Sequence, residues 1–191
     1  MGDASEITVW LDAAREGDRG AMDRVLSTLY NELHGMARRQ LAGQQGYTLD
    51  ATSLVHESYF KLLGARKAGA KFDNRAHFFA YAASAMRSVV VDYARQRLAQ
   101  KRGGSLRRVT DLTEDIADTG VPLDEDVLSV DAALGKLAEA DERLAKVVEL
   151  RYFAGLSEME IAELLQRSER SIRRDWQKAR MFLLAAMQET A

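Results

Sequence analysis

The chain has 191 residues, with 27 Lys and Arg against 29 Asp and Glu for a formal net charge of −2. It carries no cysteine and one proline, and 47% of its residues are hydrophobic; this supplies a core, excludes disulfides and argues against structural zinc. No apolar run reaches the ~18 residues needed to span a bilayer, and the N-terminal MGDASEITVWLDAAREGD is acidic and broken by charges, unlike a secretory leader, so a cytoplasmic protein is expected.

Few aromatics and no strand alternation predict an all-α protein. Residues 5–42 read as two helices with a break near Glu16-Gly17-Asp18; Leu26, Leu29, Tyr30, Leu33, Ala37 and Leu41 form the apolar stripe of the second. Gly43 to Thr48 is a turn. A third helix runs over about Thr52–Leu63, with Leu54, Val55, Tyr59, Leu62 and Leu63 on one face. The basic loop GARKAGAKFDNR at 64–75 precedes a long helix over about Ala76–Gln100. Gly103, Gly104, Gly120 and Pro122 mark 103–125 as a linker, and two further helices follow at about 127–138 and 140–153. The expected architecture is two small helical domains, 5–102 and 126–188, joined by a flexible acidic linker.

Residues 155–180, GLSEMEIAELLQRSERSIRRDWQKAR, predict a helix-turn-helix. Gly155 can stop the preceding helix in a left-handed conformation. Ser157 and Glu160 form an S-x-x-E capping box, with Leu156 and Ile161 at the staple positions. Ser168 caps the second helix. In that helix Ile172, Trp176, Ala179 and Leu183 turn inward by spacing. Arg170, Arg173, Arg174, Gln177 and Lys178 are left outward, as guanidinium and amide groups able to read base edges or hold phosphates.

Charge is segregated along the chain. Residues 87–108 hold seven basic side chains and one acid, 109–135 hold eight acids and no Lys or Arg, and 166–181 hold six basic and two acidic side chains. The basic blocks suit a polyanion. The acids of the linker either keep it solvated or shield the basic surfaces when DNA is absent.

Two separated segments resemble one family. LRYFAGLSEMEIAELLQRSERSIRRDWQKAR resembles region 4 of bacterial sigma factors, TSLVHESYFKLL resembles the region 2.2 helix, and HFFAYAASAMRSVVVDYARQRLAQKRGG resembles regions 2.3 and 2.4. The short linker leaves no room for a region 3 domain. The chain therefore resembles the extracytoplasmic-function (ECF) sigma factors of the sigma-70 family over about residues 8–185.

The resemblance implies an initiation factor that binds core RNA polymerase and promoter −10 and −35 elements. It implies docking on the polymerase β′ coiled coil through Leu54, Val55, His56, Glu57, Phe60 and Lys61, although Leu54, Val55 and Leu62 fit a core equally well. For the −10 element it implies Arg66, Lys67, Lys71, Phe72, Asn74, Arg75, His77, Phe78, Phe79 and Tyr81, with Arg87, Arg95, Arg97, Lys101 and Arg102 on phosphates; one of the adjacent Phe78 and Phe79 is expected in the core. Opening the duplex needs such aromatic platforms and cations. Asp92 and Arg95 match the family's D-x-x-R pattern. For the −35 element it implies Arg170, Ser171, Arg173, Arg174 and Gln177, with Lys178 and Arg180 on phosphate. Arg151, Tyr152 and Phe153 fall near the surface offered to the β flap, where a core role for the two aromatics is an equal alternative.

Two positions depart from the family pattern. Gln166 stands where the turn usually has Gly, so a non-glycine residue is expected in strained turn geometry. Asp175 stands where relatives are often basic, and is expected to orient Arg174 or another neighbouring arginine. An anti-sigma factor is a possible partner by resemblance; no cofactor, metal, membrane or small-molecule substrate is expected. An enzyme is disfavoured, because His34, His56 and His77 are scattered and no H-E-x-x-H, P-loop or nucleophile elbow occurs. A stand-alone helix-turn-helix regulator is the alternative reading; residues 5–102 show no strand–helix alternation of a receiver domain.

Overall fold

A computed structural model describes residues 4–18, 20–42, 49–67, 72, 74–102 and 123–188. The expected turn at 43–48, part of the basic loop and the linker up to residue 122 lie outside the described residues. The described elements are α1 (Ala4–Glu16), α2 (Ala21–Gln40), α3 (Ala51–Lys67), α4 (Arg75–Arg102), α5 (Leu123–Ala140), α6 (Glu142–Val148), a π-helical turn (Glu149–Phe153), α7 (Glu158–Leu164) and α8 (Glu169–Gln188). No strand occurs among the described residues, and the protein is all-α as expected.

Local chemistry explains the boundaries. Asp50 starts α3, its Oδ1 accepting the Ser53 N–H at 2.7 Å. The helix runs past the expected Leu63 because Gly64 sits at an exposed position, where a helical glycine costs only about 1 kcal/mol. Asn74 caps α4, its Oδ1 accepting the His77 N–H at 2.9 Å. α5 begins earlier than periodicity suggests, since Asp124, Glu125 and Asp126 in its first turn complement the helix dipole. The single helix expected over 140–153 is divided: Asp141 caps α6 by accepting from Arg143 N and Leu144 N, and the chain then widens into the π turn, closed by Ala154 N–H to Glu149 O at 3.0 Å.

α4 is the central element. Phe78, Phe79, Ala82, Ala83, Met86, Val89, Val90, Val91 and Ala94 are all buried. Three consecutive buried valines cannot share one stripe, so α4 is contacted nearly all round, by α1, α2 and α3 within the N-terminal half and by α5, the π turn and α7 from the C-terminal half. A single apolar cluster therefore runs through both halves.

Candidate nucleic-acid and polymerase interfaces

The helix-turn-helix is assembled by the local signals anticipated above. Gly155 has φ +73°. Ser157 Oγ accepts the Glu160 N–H at 3.2 Å, and Glu160 Oε2 accepts the Ser157 N–H at 2.9 Å, completing the capping box. Leu156 and Ile161 are buried. Gln166 takes the turn at φ 52°, the one described non-glycine residue with positive φ. Ser168 Oγ accepts the Ser171 N–H at 3.3 Å and so caps α8.

α8 turns Ile172, Asp175 and Ala179 inward. Arg170, Arg173, Arg174, Gln177, Lys178 and Arg180 are exposed, and Ser171 is half-buried beside them. These side chains form a cationic outer face. Arg173 differs from its neighbours, because Glu158 Oε2 accepts both its Nε (3.0 Å) and its Nη2 (2.8 Å). Glu158 Oε1 also accepts Arg151 Nη1 at 2.5 Å, and the Arg151 guanidinium lies over the Trp176 ring, 5.0 Å from its centroid. The hydrogen bonds from Arg173 and then Arg151 hold the Glu158 carboxyl below the usual carboxylate range.

Asp175 corrects one expectation. It is 1% exposed, on the inward face of α8, and its carboxylate lies 3.2 Å from Arg143 Nε of α6, so it orients neither Arg174 nor Arg173. The pair joins α8 to α6 beneath it. Tyr152 and Phe153 divide as well: Tyr152 is 63% exposed and Phe153 is buried.

The α3 candidates separate by helical phase. Leu54 and Val55 are fully buried and belong to the core, which corrects their assignment to docking. His56, Glu57, Phe60 and Lys61 form an exposed i, i+1, i+4, i+5 strip, with Phe60 71% exposed. Lys61 also reaches α4, donating to Ser88 Oγ at 2.7 Å and Asp92 Oδ2 at 3.0 Å.

The −10 candidates are the most altered by the fold. Phe78 and Phe79 are both buried, because α4 has no free face at their azimuth; Phe78 is therefore a core residue and not an available base platform. Tyr81 is 40% exposed and meets the buried Phe72 edge-on at 5.2 Å. Asn74 spends its amide oxygen on the α4 cap. The side chains of Arg66, Lys67, Lys101 and Arg102, and the whole of Lys71, lie outside the described residues. The remaining cations are paired. Arg75 meets Glu32 and, at 3.6 Å, Glu160, and its guanidinium stacks 4.7 Å from the Phe79 centroid. Arg87 donates to Asp131 Oδ1 (2.6 Å) and Glu149 Oε1 (2.9 Å), Arg95 to Asp131 Oδ2 (3.3 Å), and Arg97 lies 3.6 Å from Asp124.

Sequence reasoning did not single out Glu158, Asp131, Glu149, Arg39 or Arg143. Arg39 of α2 donates from Nη2 to Ala154 O at 3.4 Å, beside the Gly155 turn. The acidic block hinted at Asp131 alone; nothing local in sequence marks Glu149, Glu158, Arg39 or Arg143. A cavity of about 290 Å³ on the seam between the halves is lined by Val90, Val91, Val127, Val130, Arg87 and Asp131, among others. Among the described residues no group of three His, Asp or Glu side chains converges as a metal site, and no helix is long and apolar enough to cross a membrane.

No curated protein matches the chain. The family model of the ECF sigma factor matches residues 4–189, nearly the whole length and both halves of the structure. With that match spanning the N-terminal bundle and the capped helix-turn-helix alike, the chain belongs to the ECF sigma factor family.

Proposed function

We propose that this sigma factor binds core RNA polymerase through the His56, Glu57, Phe60 and Lys61 strip of α3, against the β′ coiled coil, and through Tyr152 and its surroundings against the β flap. In this reading residues 5–102 act as region 2 at the −10 element, 103–125 as linker and 126–188 as region 4 at the −35 element. The observation that carries it is the exposed face of α8: Arg170, Arg174, Gln177 and Lys178 project from a helix whose opposite face is locked by Ile172, Ala179 and the Asp175–Arg143 pair. Their end groups suit guanine, adenine and phosphate in a major groove. Tyr81, the exposed aromatic of α4, is the platform best placed for an unpaired −10 base.

The test is reconstitution. The purified chain should co-elute with core polymerase and confer initiation at particular sites of a genomic template, and sequencing those transcripts would define the promoter. If the chain binds duplex promoter DNA tightly alone and never binds core enzyme, it acts as a stand-alone regulator instead. Charge removal at Lys178 should weaken binding to many sequences alike, whereas changes at Arg174 or Arg173 should alter −35 preference.

A further inference from the structure

The cations assigned to the −10 strand are covered in this structure by carboxylates of the other half. Arg75, Arg87, Arg95 and Arg97 are the arginines of that set whose side chains are described, and each has a partner in the C-terminal half: Arg75 has Glu160, Arg87 has Asp131 and Glu149, and Arg95 has Asp131. Arg97 adds Asp124. Around Arg87 the pairs are sheltered, its side chain being 24% exposed and those of Asp131 and Glu149 being 25% and 22%. They are screened less than surface pairs, and both terminal nitrogens of Arg87, the donors a guanidinium would offer to a phosphate, are taken by Asp131 and Glu149.

The pairs form a chain of alternating sign. It runs from Lys61 to Asp92 (3.0 Å), Arg95 (3.8 Å), Asp131 (3.3 Å), Arg87 (2.6 Å), Glu149 (2.9 Å) and Lys146 (3.5 Å). Beneath it Val90 and Val91 of α4 face Val127 and Val130 of α5 across the seam. An ordinary interdomain contact needs the valines, but it does not need to pair each described arginine of the strand-binding set.

We propose that the carboxylate row Asp131, Glu149 and Glu160 is an internal stand-in for DNA phosphates: it occupies the strand-binding face of α4 in the free chain, and single-stranded DNA gains that face only by displacing it. The inference rests on the reading of α4 as the −10 surface. The free protein is then held from non-specific polyanions by its own C-terminal half, and its affinity for a strand is reduced by the fraction of molecules that are closed. The acidic block that follows the basic block in sequence acquires a function, at least for Asp124 and Asp131.

The test uses the full chain and a labelled single-stranded oligonucleotide. Asp131→Asn with Glu149→Gln removes the row's centre without touching a proposed DNA-binding residue. The double variant should bind the oligonucleotide about tenfold tighter than the parent, as expected when a mostly closed population is released. A charge-matched control, Glu139→Gln with Glu142→Gln at exposed positions away from the row, should bind within about twofold of the parent. Because the chain has no cysteine, Thr28→Cys and Lys136→Cys can carry a fluorophore pair across the seam, and saturating oligonucleotide should lower energy transfer in the parent. Tightening by the control equal to that of the row variant, or no tightening by the row variant, would overturn the inference alone, as would unchanged energy transfer at saturation. Absence of oligonucleotide binding by every chain would overturn the assignment of α4 as the −10 surface, and the inference with it.

Discussion

Replacing Glu158 with Gln should make binding to −35 duplex DNA more salt-sensitive. Glu158 Oε2 accepts Arg173 through Nε and Nη2 at 3.0 and 2.8 Å, and Oε1 accepts Arg151 at 2.5 Å. The carboxyl is held below its ordinary range by these guanidiniums, so it is charged at neutral pH and compensates one of the two. With Gln in its place, Arg173 meets the DNA carrying its full charge; the amide oxygen can still accept from Arg173, while the amide NH2, a donor, gives up the bond from Arg151. Each added cation–phosphate contact steepens the fall of log K with log salt by about 0.9 on duplex DNA. Between about 50 and 200 mM salt, a fourfold change, this is a further loss of roughly 3.5-fold for the variant relative to the parent. Fluorescence anisotropy with a labelled promoter duplex at several salt concentrations measures both slopes, and thermal unfolding confirms that the variant is folded. Parallel slopes would refute the reasoning, since the charge of Glu158 would then not be felt by the DNA that Arg173 faces.

Other expectations are as specific. Arg143→Ala leaves the buried Asp175 carboxylate unpaired and should cost about 2 kcal/mol in urea unfolding, reduced from the fully buried case because Arg143 is 40% exposed; adding Asp175→Leu should restore most of it, and no recovery would show that the pair is not what the site depends on. Phe60→Ala should leave stability within about 0.5 kcal/mol and weaken co-elution with core polymerase, whereas Leu54→Ala should cost about 2–5 kcal/mol; equal polymerase binding by Phe60→Ala and the parent would remove Phe60 from the docking strip. Asp50 and Glu158 have folded-state values lowered from 3.8 and 4.5, chiefly by the Ser53 backbone hydrogen bond and the Arg173 side chain. Their contribution to stability is thus fully present above those values and is lost as pH falls through the lowered ones. A thermal-melt series into acid should show this loss, and Asp50→Ala should flatten it.

Much of the helix-turn-helix was legible before any fold, because its signals act within a turn or two. A capping box spans three residues, a glycine stop involves the last turn of one helix, and apolar period reports which face turns inward; Ser157, Glu160, Gly155, Ser168 and Ile172 are all read this way. The strained turn at Gln166 was expected from the resemblance, since the family usually has Gly there. The α4 aromatics were less legible. Adjacency argues that one of Phe78 and Phe79 faces outward, yet both are buried because helices pack around α4 on several sides, which no single-helix pattern reveals.

The sequence by itself determined the all-α class, most of the helices, the caps of the helix-turn-helix, the cationic outer face of α8 and the family, since each depends on neighbours along the chain or on a linear pattern of residue types. Only the tertiary structure decided which charges meet. Arg87 is 44 residues from Asp131 and 62 from Glu149, and Asp175 is joined to α6 across a helix–helix contact. Coulombic pairing is short-ranged in water and depends on where packing brings two side chains and how far it excludes solvent, and neither quantity is written in local order. Packing of α5 and the π turn on α4 is what brings Asp124 to Arg97 and Asp131 to Arg87.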